Sequence, residues 1–228
     1  MGRSLVDGAL QRLDEITRRL RRECPWDREQ DERSIVPHTV EEAYELADAA
    51  RAGDDAKLLD ELGDVLFQVY FLALLLEERR AGSLDEVARS TTAKLIRRHP
   101  HVFGEAEAET AGQVLRQWDS IKREERGGEP FGELPETLPS TLYARKLQVR
   151  AARAGLGERD PQDALGEVQR LSAALLGGEG SEEDAFDRIG DLLFAAVDAA
   201  RSLGEDPELA LRAAAQRFRD EIEQTGPR

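Results

Sequence analysis

Glu41-Glu42-Ala43-Tyr44-Glu45, answered by Glu61-Leu62-Gly63-Asp64, is the pair of stretches around which the chain reads as a helical protein. A helix advances by roughly 100° per residue, so Glu41, Glu42 and Glu45 share one arc, and Glu61 and Asp64 at i and i+3 lie almost one above the other. Two such helices packed antiparallel direct four or five carboxylates at one spot. Like charges so placed repel and raise each other's pKa, which is costly until a cation compensates them. The cation that suits an all-oxygen set is a hard one, Mg²⁺ or Mn²⁺. Acidic residues are also common on solvated helix faces in a chain of which 35% is charged. Gly63 tips the reading, because a glycine inside an apolar helix costs about 1 kcal/mol relative to alanine. It suggests close helix approach beside Asp64.

Outward from these motifs, apolar residues recur at helical spacing. Leu5, Ala9, Leu13, Ile16 and Leu20 define an amphipathic helix over 4–22. Pro25 interrupts it in the segment Cys24-Pro25-Trp26-Asp27-Arg28-Glu29-Gln30, read as a loop in which Trp26 either stacks on a base or plugs the end of the bundle. Thr39 reads as an N-cap, with Glu42 three residues on completing a capping box. That helix is expected to end near Gly53, and Asp54-Asp55 to start the next, over Ala56 to Arg80. Leu58, Leu59, Leu62, Val65, Leu66, Val69 and Leu72 give this second helix more apolar surface than one neighbour can cover, so a bundle and a subunit interface are expected.

A further helix follows Gly82-Ser83 and carries Lys94, Arg97 and Arg98 at i, i+3 and i+4. In a molecule of net charge −15, this one basic face suits a polyphosphate held by charge-assisted hydrogen bonds. Trp118 and Lys122 share a face of the next helix. The segment from Gly127 through Gly132, followed by Pro135 and Pro139, is a linker.

Beyond the linker the chain repeats itself. Asp187-Arg188-Ile189-Gly190-Asp191-Leu192-Leu193-Phe194 lies over Asp60 to Phe67, Gly166 to Arg170 over Glu41 to Glu45, and Glu208 to Arg219 over Glu86 to Arg97. In the second copy Glu45 is replaced by Arg170, Glu61 by Arg188, Lys94 by Gln216 and Arg98 by Asp220. The acidic pole and the basic pole decay together while the Gly-Asp-x-Leu-Phe core survives. A ligand shared by both poles explains that, and the second copy is expected to hold no metal, with Arg170 and Arg188 pairing with Glu167 and Asp191 instead.

The net charge argues against a nucleic-acid or anionic-membrane surface. The single cysteine, Cys24, excludes an internal disulfide framework. The longest apolar run, Val65 to Leu76, contains Gln68 and falls short of the ~20 residues that span a bilayer. A cytoplasmic protein acting on a small molecule is expected, with no nucleic acid and no membrane as partner.

Glu-Glu-x-x-Glu followed by Glu-x-x-Asp, with Cys-Pro-Trp-Asp-x-x-Gln upstream and Lys-Leu-Ile-Arg-Arg-His-Pro-His-Val-Phe downstream, resembles the MazG nucleoside triphosphate pyrophosphohydrolases over nearly the whole chain. The resemblance implies an all-α homodimer of tandem helical-bundle repeats with a four-helix-bundle-type core. It implies Mg²⁺-dependent conversion of nucleoside triphosphates, ribo or deoxy, to monophosphate and pyrophosphate in nucleotide-pool house-cleaning. Carried over by position, Glu42, Glu45, Glu61 and Asp64 are the metal ligands, with Glu41 or Glu45 as proton acceptor. Lys94, Arg97 and Arg98 hold phosphates, and Trp118, Lys122 and Trp26 lie around the nucleotide. The domains on this reading are 1–127, catalytic; 128–141, linker; and 142–228, a degenerate copy. Related alternatives are a pyrophosphatase selective for dUTP or dCTP, a nucleotide sensor without turnover, and a purely structural acidic bundle, which leaves the basic helix without a role.

Overall fold

The backbone is helical throughout its ordered elements, and the chain divides by packing into two compact units, Met1–Arg97 and Arg98–Arg228. The computed structural model describes residues 2–125, 127, 134–135, 137–157, 159–177 and 182–225, without the side chains of 2–7 and 182–184. Leu5 as a core contact, and most of the expected linker, fall outside the described residues. Among the described residues no helix is long and apolar enough to cross a membrane.

The first unit begins with α1 (Gly2–Glu23) and the short α2 (Pro25–Glu29), which restarts the helix with Pro25 at its first position, where a missing N–H is harmless. The expected loop is thus one more helical turn and a half. Arg21 ties it down. Its guanidinium donates to the carbonyls of Asp27 at 2.5 Å and Gln30 at 2.9 Å, pairs with Glu78 at 2.9 Å, and lies 5.8 Å from the centre of the Phe71 ring.

α3 (Glu32–Ala52) starts earlier than the Thr39 cap predicts. Asp31 is its N-cap, accepting from the Ser34 N–H at 2.8 Å, while Ser34 Oγ accepts from the Asp31 N–H at 2.9 Å. This reciprocal pair satisfies two N-terminal donors and nucleates the helix ahead of Pro37. Pro37 is then absorbed near the start, where it forfeits one backbone bond, and Thr39 turns its hydroxyl back to the Ile35 carbonyl at 3.3 Å. Glu42 is therefore no capping residue, and its side chain has no local structural duty of that kind.

The turn between α3 and α4 (Asp55–Glu78) follows its local chemistry. Gly53 takes the left-handed conformation at φ 68°, and Asp54 accepts from the N–H groups of Ala56 and Lys57. α3 and α4 pack along one another, with Ile35, Phe71 and Leu75 buried between them and Phe67 and Leu72 flanking. The opposite face of α4 stays open: Leu59 is 74% exposed, and Leu62, Leu66 and Val69 are exposed with it. α5 (Leu84–Arg98) buries none of its residues.

The second unit comprises α6 (Pro100–Phe103), α7 (Ala111–Glu125), α8 (Ser140–Arg153), α9 (Pro161–Leu176), α10 (Glu182–Ser202) and α11 (Pro207–Thr225). α9 packs on α10 and both α10 and α11 pack on α8, around small buried residues such as Ala164, Ala195, Ala199 and Ala213. Gln148 of α8 donates to the Phe194 carbonyl on α10 at 2.8 Å.

Candidate metal centre

Antiparallel packing through the tight Gly53–Asp54 turn sets the C-terminal half of α3 beside the first turns of α4. Glu42 and Glu45 project from α3, and Glu61 projects from α4. One carboxylate oxygen from each lies within 4.8 Å of the others, the only such group of three or more among the described residues. Glu45 is exposed, Glu42 half-buried, and Glu61 only 5% exposed. A buried carboxylate facing two more is unfavourable in isolation. Burial, then the charges of Asp64, Glu45 and Glu61, push the Glu42 carboxyl above its ordinary value. Burial and then Glu45 push Glu61 up as well, opposed by Lys57, whose Nζ lies 3.8 Å from Glu61 Oε1. One half-exposed lysine does not balance three carboxylates. The donor set is all oxygen, anionic and convergent from two helices, which fits a hard divalent cation.

Asp64 stands outside the tight group, exposed on the same helix, and lines a shallow hollow with Lys57, Asp60 and Gly63. Its charge still reaches Glu42. Glu41 points elsewhere, to His38 Nδ1 at 3.2 Å. His38 in turn meets the Trp26 ring edge-on, with centroids 6.0 Å apart. Trp26 is 52% exposed, so it does not plug the bundle end. His38 and Lys57 were missed by motif reasoning, yet both stand at spacings that bring them onto the acidic residues, His38 three before Glu41 and Lys57 four before Glu61.

Gly63 requires a correction. A Cβ there meets nothing within 4 Å, so close helix approach within the chain is not its role. It lies on the outward face of α4 among Leu59, Leu62 and Leu66.

The cations fall at the junction of the two units by sequence. Lys94 and Arg97 are exposed on α5 in the first. Arg98, in the second, pairs with Glu125 at 2.6 Å. Lys122 of α7 sits with its Nζ 4.5 Å from the centre of the Trp118 ring, a cation–π pair, and the Trp118 indole N–H is buried without a hydrogen-bond acceptor. In the second unit, Arg170 clasps Glu167 through two bonds, at 2.7 and 2.8 Å.

The MazG nucleotide pyrophosphohydrolase domain family matches residues 30–103, the span that holds α3, α4 and α5. A Thermotoga maritima protein named nucleoside triphosphate pyrophosphohydrolase/pyrophosphatase MazG is 38% identical over 198 residues, 86% of this chain and 76% of that protein. The chain belongs to the MazG family. An Escherichia coli K12 protein named nucleoside triphosphate pyrophosphohydrolase is 36% identical over 220 residues, 92% of this chain and 84% of its own length. Among solved structures, a MazG-related protein from T. maritima aligns with 50% of this chain and 98% of its own, at 26% identity and a TM-score of 0.44. Within the MazG span of this chain lie all three members of the tight carboxylate group.

Proposed function

We propose that this MazG protein hydrolyses nucleoside triphosphates, ribo or deoxy, to the monophosphate and pyrophosphate, and that the chemistry belongs to the N-terminal repeat. The observation that carries the proposal is the meeting of Glu42, Glu45 and the buried Glu61 at one point on two helices. The names borne by the relatives from T. maritima and E. coli support the same reaction.

Glu42, Glu45, Glu61 and Asp64 would hold Mg²⁺, with Mn²⁺ as a substitute. When bound, the ion supplies Lewis-acid polarisation of phosphate oxygens and neutralises their charge. The chain's own groups do the rest. Glu45, in the convergent group that Glu41 leaves for His38, accepts the proton of a water that attacks the α-phosphorus in line, and the bond from that phosphorus to the bridging oxygen of the leaving pyrophosphate breaks. Lys94 and Arg97, exposed on α5 of the same unit, neutralise the pyrophosphate as it departs. Trp26, exposed and edge-on to His38, offers its ring to the base. Analysis of the products of ATP and dCTP by ³¹P NMR checks the regiochemistry. Monophosphate with pyrophosphate is expected; diphosphate with orthophosphate, or bound triphosphate without product, overturns it.

By motif order the catalytic repeat runs through residue 127, with 128–141 as linker and 142–228 as a copy that has lost both poles. Arg170 on Glu167 supports that reading, since a guanidinium satisfies a carboxylate where an ion is no longer held. Glu167→Ala is therefore expected to leave turnover within about twofold of wild type.

The working form is a homodimer built on the open face of α4. Leu59, Leu62, Leu66 and Val69 at i, i+3, i+7 and i+10 form an apolar stripe that the other described helices of the first unit leave exposed, and Gly63 gives a second helix room to approach it. Light scattering checks this. Wild type is expected at twice the chain mass and Leu62→Glu at the chain mass; a monomeric wild type contradicts it.

A further inference from the structure

His38, Glu42 and Glu45 stand at i, i+4 and i+7, so they share one face of α3, with His38 about 6 Å along the helix axis from Glu42. The acidic pole therefore continues, one turn towards the start of α3, into an aromatic corner. Its walls are the rings of His38 and of Trp26 on α2, with centroids 6.0 Å apart and 62° between their planes. Both are open to solvent, Trp26 at 52% and the His38 side chain at 46%. A base stacked on the Trp26 wall turns its edge to His38.

That edge meets a hydrogen-bonding group of fixed sense. The Glu41 carboxylate only accepts, so at 3.2 Å it holds the imidazole proton on His38 Nδ1. In the neutral ring Nε2 then carries a lone pair, and among the described residues it has no hydrogen-bond partner. An acceptor at the edge of a base sorts bases by their exocyclic group. Adenine at position 6 and cytosine at position 4 present an amino group, which donates. Hypoxanthine, guanine and uracil present a carbonyl oxygen at the matching position, and two acceptors facing each other leave both unpaired. A site built on such a bond rejects the analogue that lacks it. By the sequence register Asp163 stands in the second repeat where His38 stands in the first, so the corner is lost together with the acidic and basic poles.

We propose that His38, its tautomer fixed by Glu41, selects triphosphates of amino bases, the base stacking on Trp26 and donating its amino N–H to His38 Nε2. The preferred substrates are then ATP, CTP and their deoxy forms, ahead of those of hypoxanthine, guanine and uracil. This rests on the reaction proposed above and names the substrates favoured at the same site. His38 touches the base and not the reacting atoms, so it sets specificity and takes no part in bond breaking.

Two substrate pairs that differ only in that group test it, ATP against ITP and CTP against UTP, with Mg²⁺ at pH 8.5, where an imidazole is neutral. In each pair kcat/KM is expected to be about tenfold higher for the amino base. His38→Phe keeps a ring against Trp26 and removes the acceptor, so both ratios are expected to fall within about twofold of one. A merely structural role lowers all four substrates alike and keeps the ratios. Nitrogen-15 NMR of the three histidines reads the tautomer in the wild type, the His38 signal being identified by its loss in His38→Phe; the proton is expected on Nδ1. Ratios near one in the wild type, ratios preserved in His38→Phe, or a His38 proton on Nε2 each overturn the proposal. Titration with the α,β-methylene analogues of ATP and ITP, which cannot release pyrophosphate, separates it from the reaction. A tenfold preference in Kd without turnover of any triphosphate leaves this proposal standing and sinks the function proposed above, whereas no binding of either analogue overturns both.

Discussion

Glu61→Ala is expected to cut pyrophosphate release at least about 10³-fold, because several kcal/mol of charge stabilisation at the phosphates depend on the acidic pole. Glu61 is the most buried of the three convergent carboxylates and the one supplied by α4, so its loss leaves Glu42 and Glu45 without their partner across the helix pair. The same substitution is not expected to unfold the protein. Without a cation, Glu42 and Glu61 have carboxyl pKa values above their ordinary ones, so the ionised pole weakens the fold progressively as pH rises through those values, and protonation at lower pH relieves it. In EDTA, Glu61→Gln is therefore expected to melt above wild type at pH 8, the difference shrinking as pH falls towards 5. Mg²⁺ at a hundredfold excess over its Kd stabilises wild type by about 2.7 kcal/mol and the variant by much less. Scanning calorimetry with and without Mg²⁺ checks both, and a variant that still turns over at a tenth of the wild-type rate contradicts the assignment.

Phe71→Ala is expected to cost about 3–5 kcal/mol, a large part of the stability of a domain this size. Phe71 is 0% exposed, packs with Ile35 from α3 and Leu75 on its own helix, and lies 5.9 Å from the Phe67 ring. Its removal empties the seam that holds α3 against α4, and that seam also sets the separation of Glu42 and Glu45 from Glu61. Turnover should fall at temperatures where the variant is still folded. Leu59→Ala, on the open face of the same helix, is expected to cost under about 0.5 kcal/mol in the isolated chain. Urea midpoints measure both, and a loss below 1 kcal/mol for Phe71→Ala rules out the seam as the organiser of the site.

The turn that builds the acidic site was legible from composition: a glycine that takes positive φ, then an aspartate that caps. The start of α3 was not, because two capping patterns compete within a few residues. Asp31 with Ser34 prevails over Thr39 with Glu42 since nucleation there lets the helix gain about two more turns and tolerate Pro37 near its beginning. Gly63 was misassigned for a different reason. α4 is apolar on nearly every side, so periodicity alone does not say which face meets α3. The acidic residues themselves were legible because their i, i+3 and i+4 spacing is local, whereas the meeting of Glu61 with Glu45, and the departure of Glu41 towards His38, depend on how the two helices roll against each other.

Binding of Mn²⁺, followed by its electron paramagnetic resonance signal in wild type, Glu61→Ala and Glu167→Ala, tests the central assignment most directly. Wild type and Glu167→Ala are expected to quench the free-ion signal equally, and Glu61→Ala to leave it nearly intact. Retention of the ion by Glu61→Ala, with loss in Glu167→Ala, would place the metal in the second repeat and contradict the account.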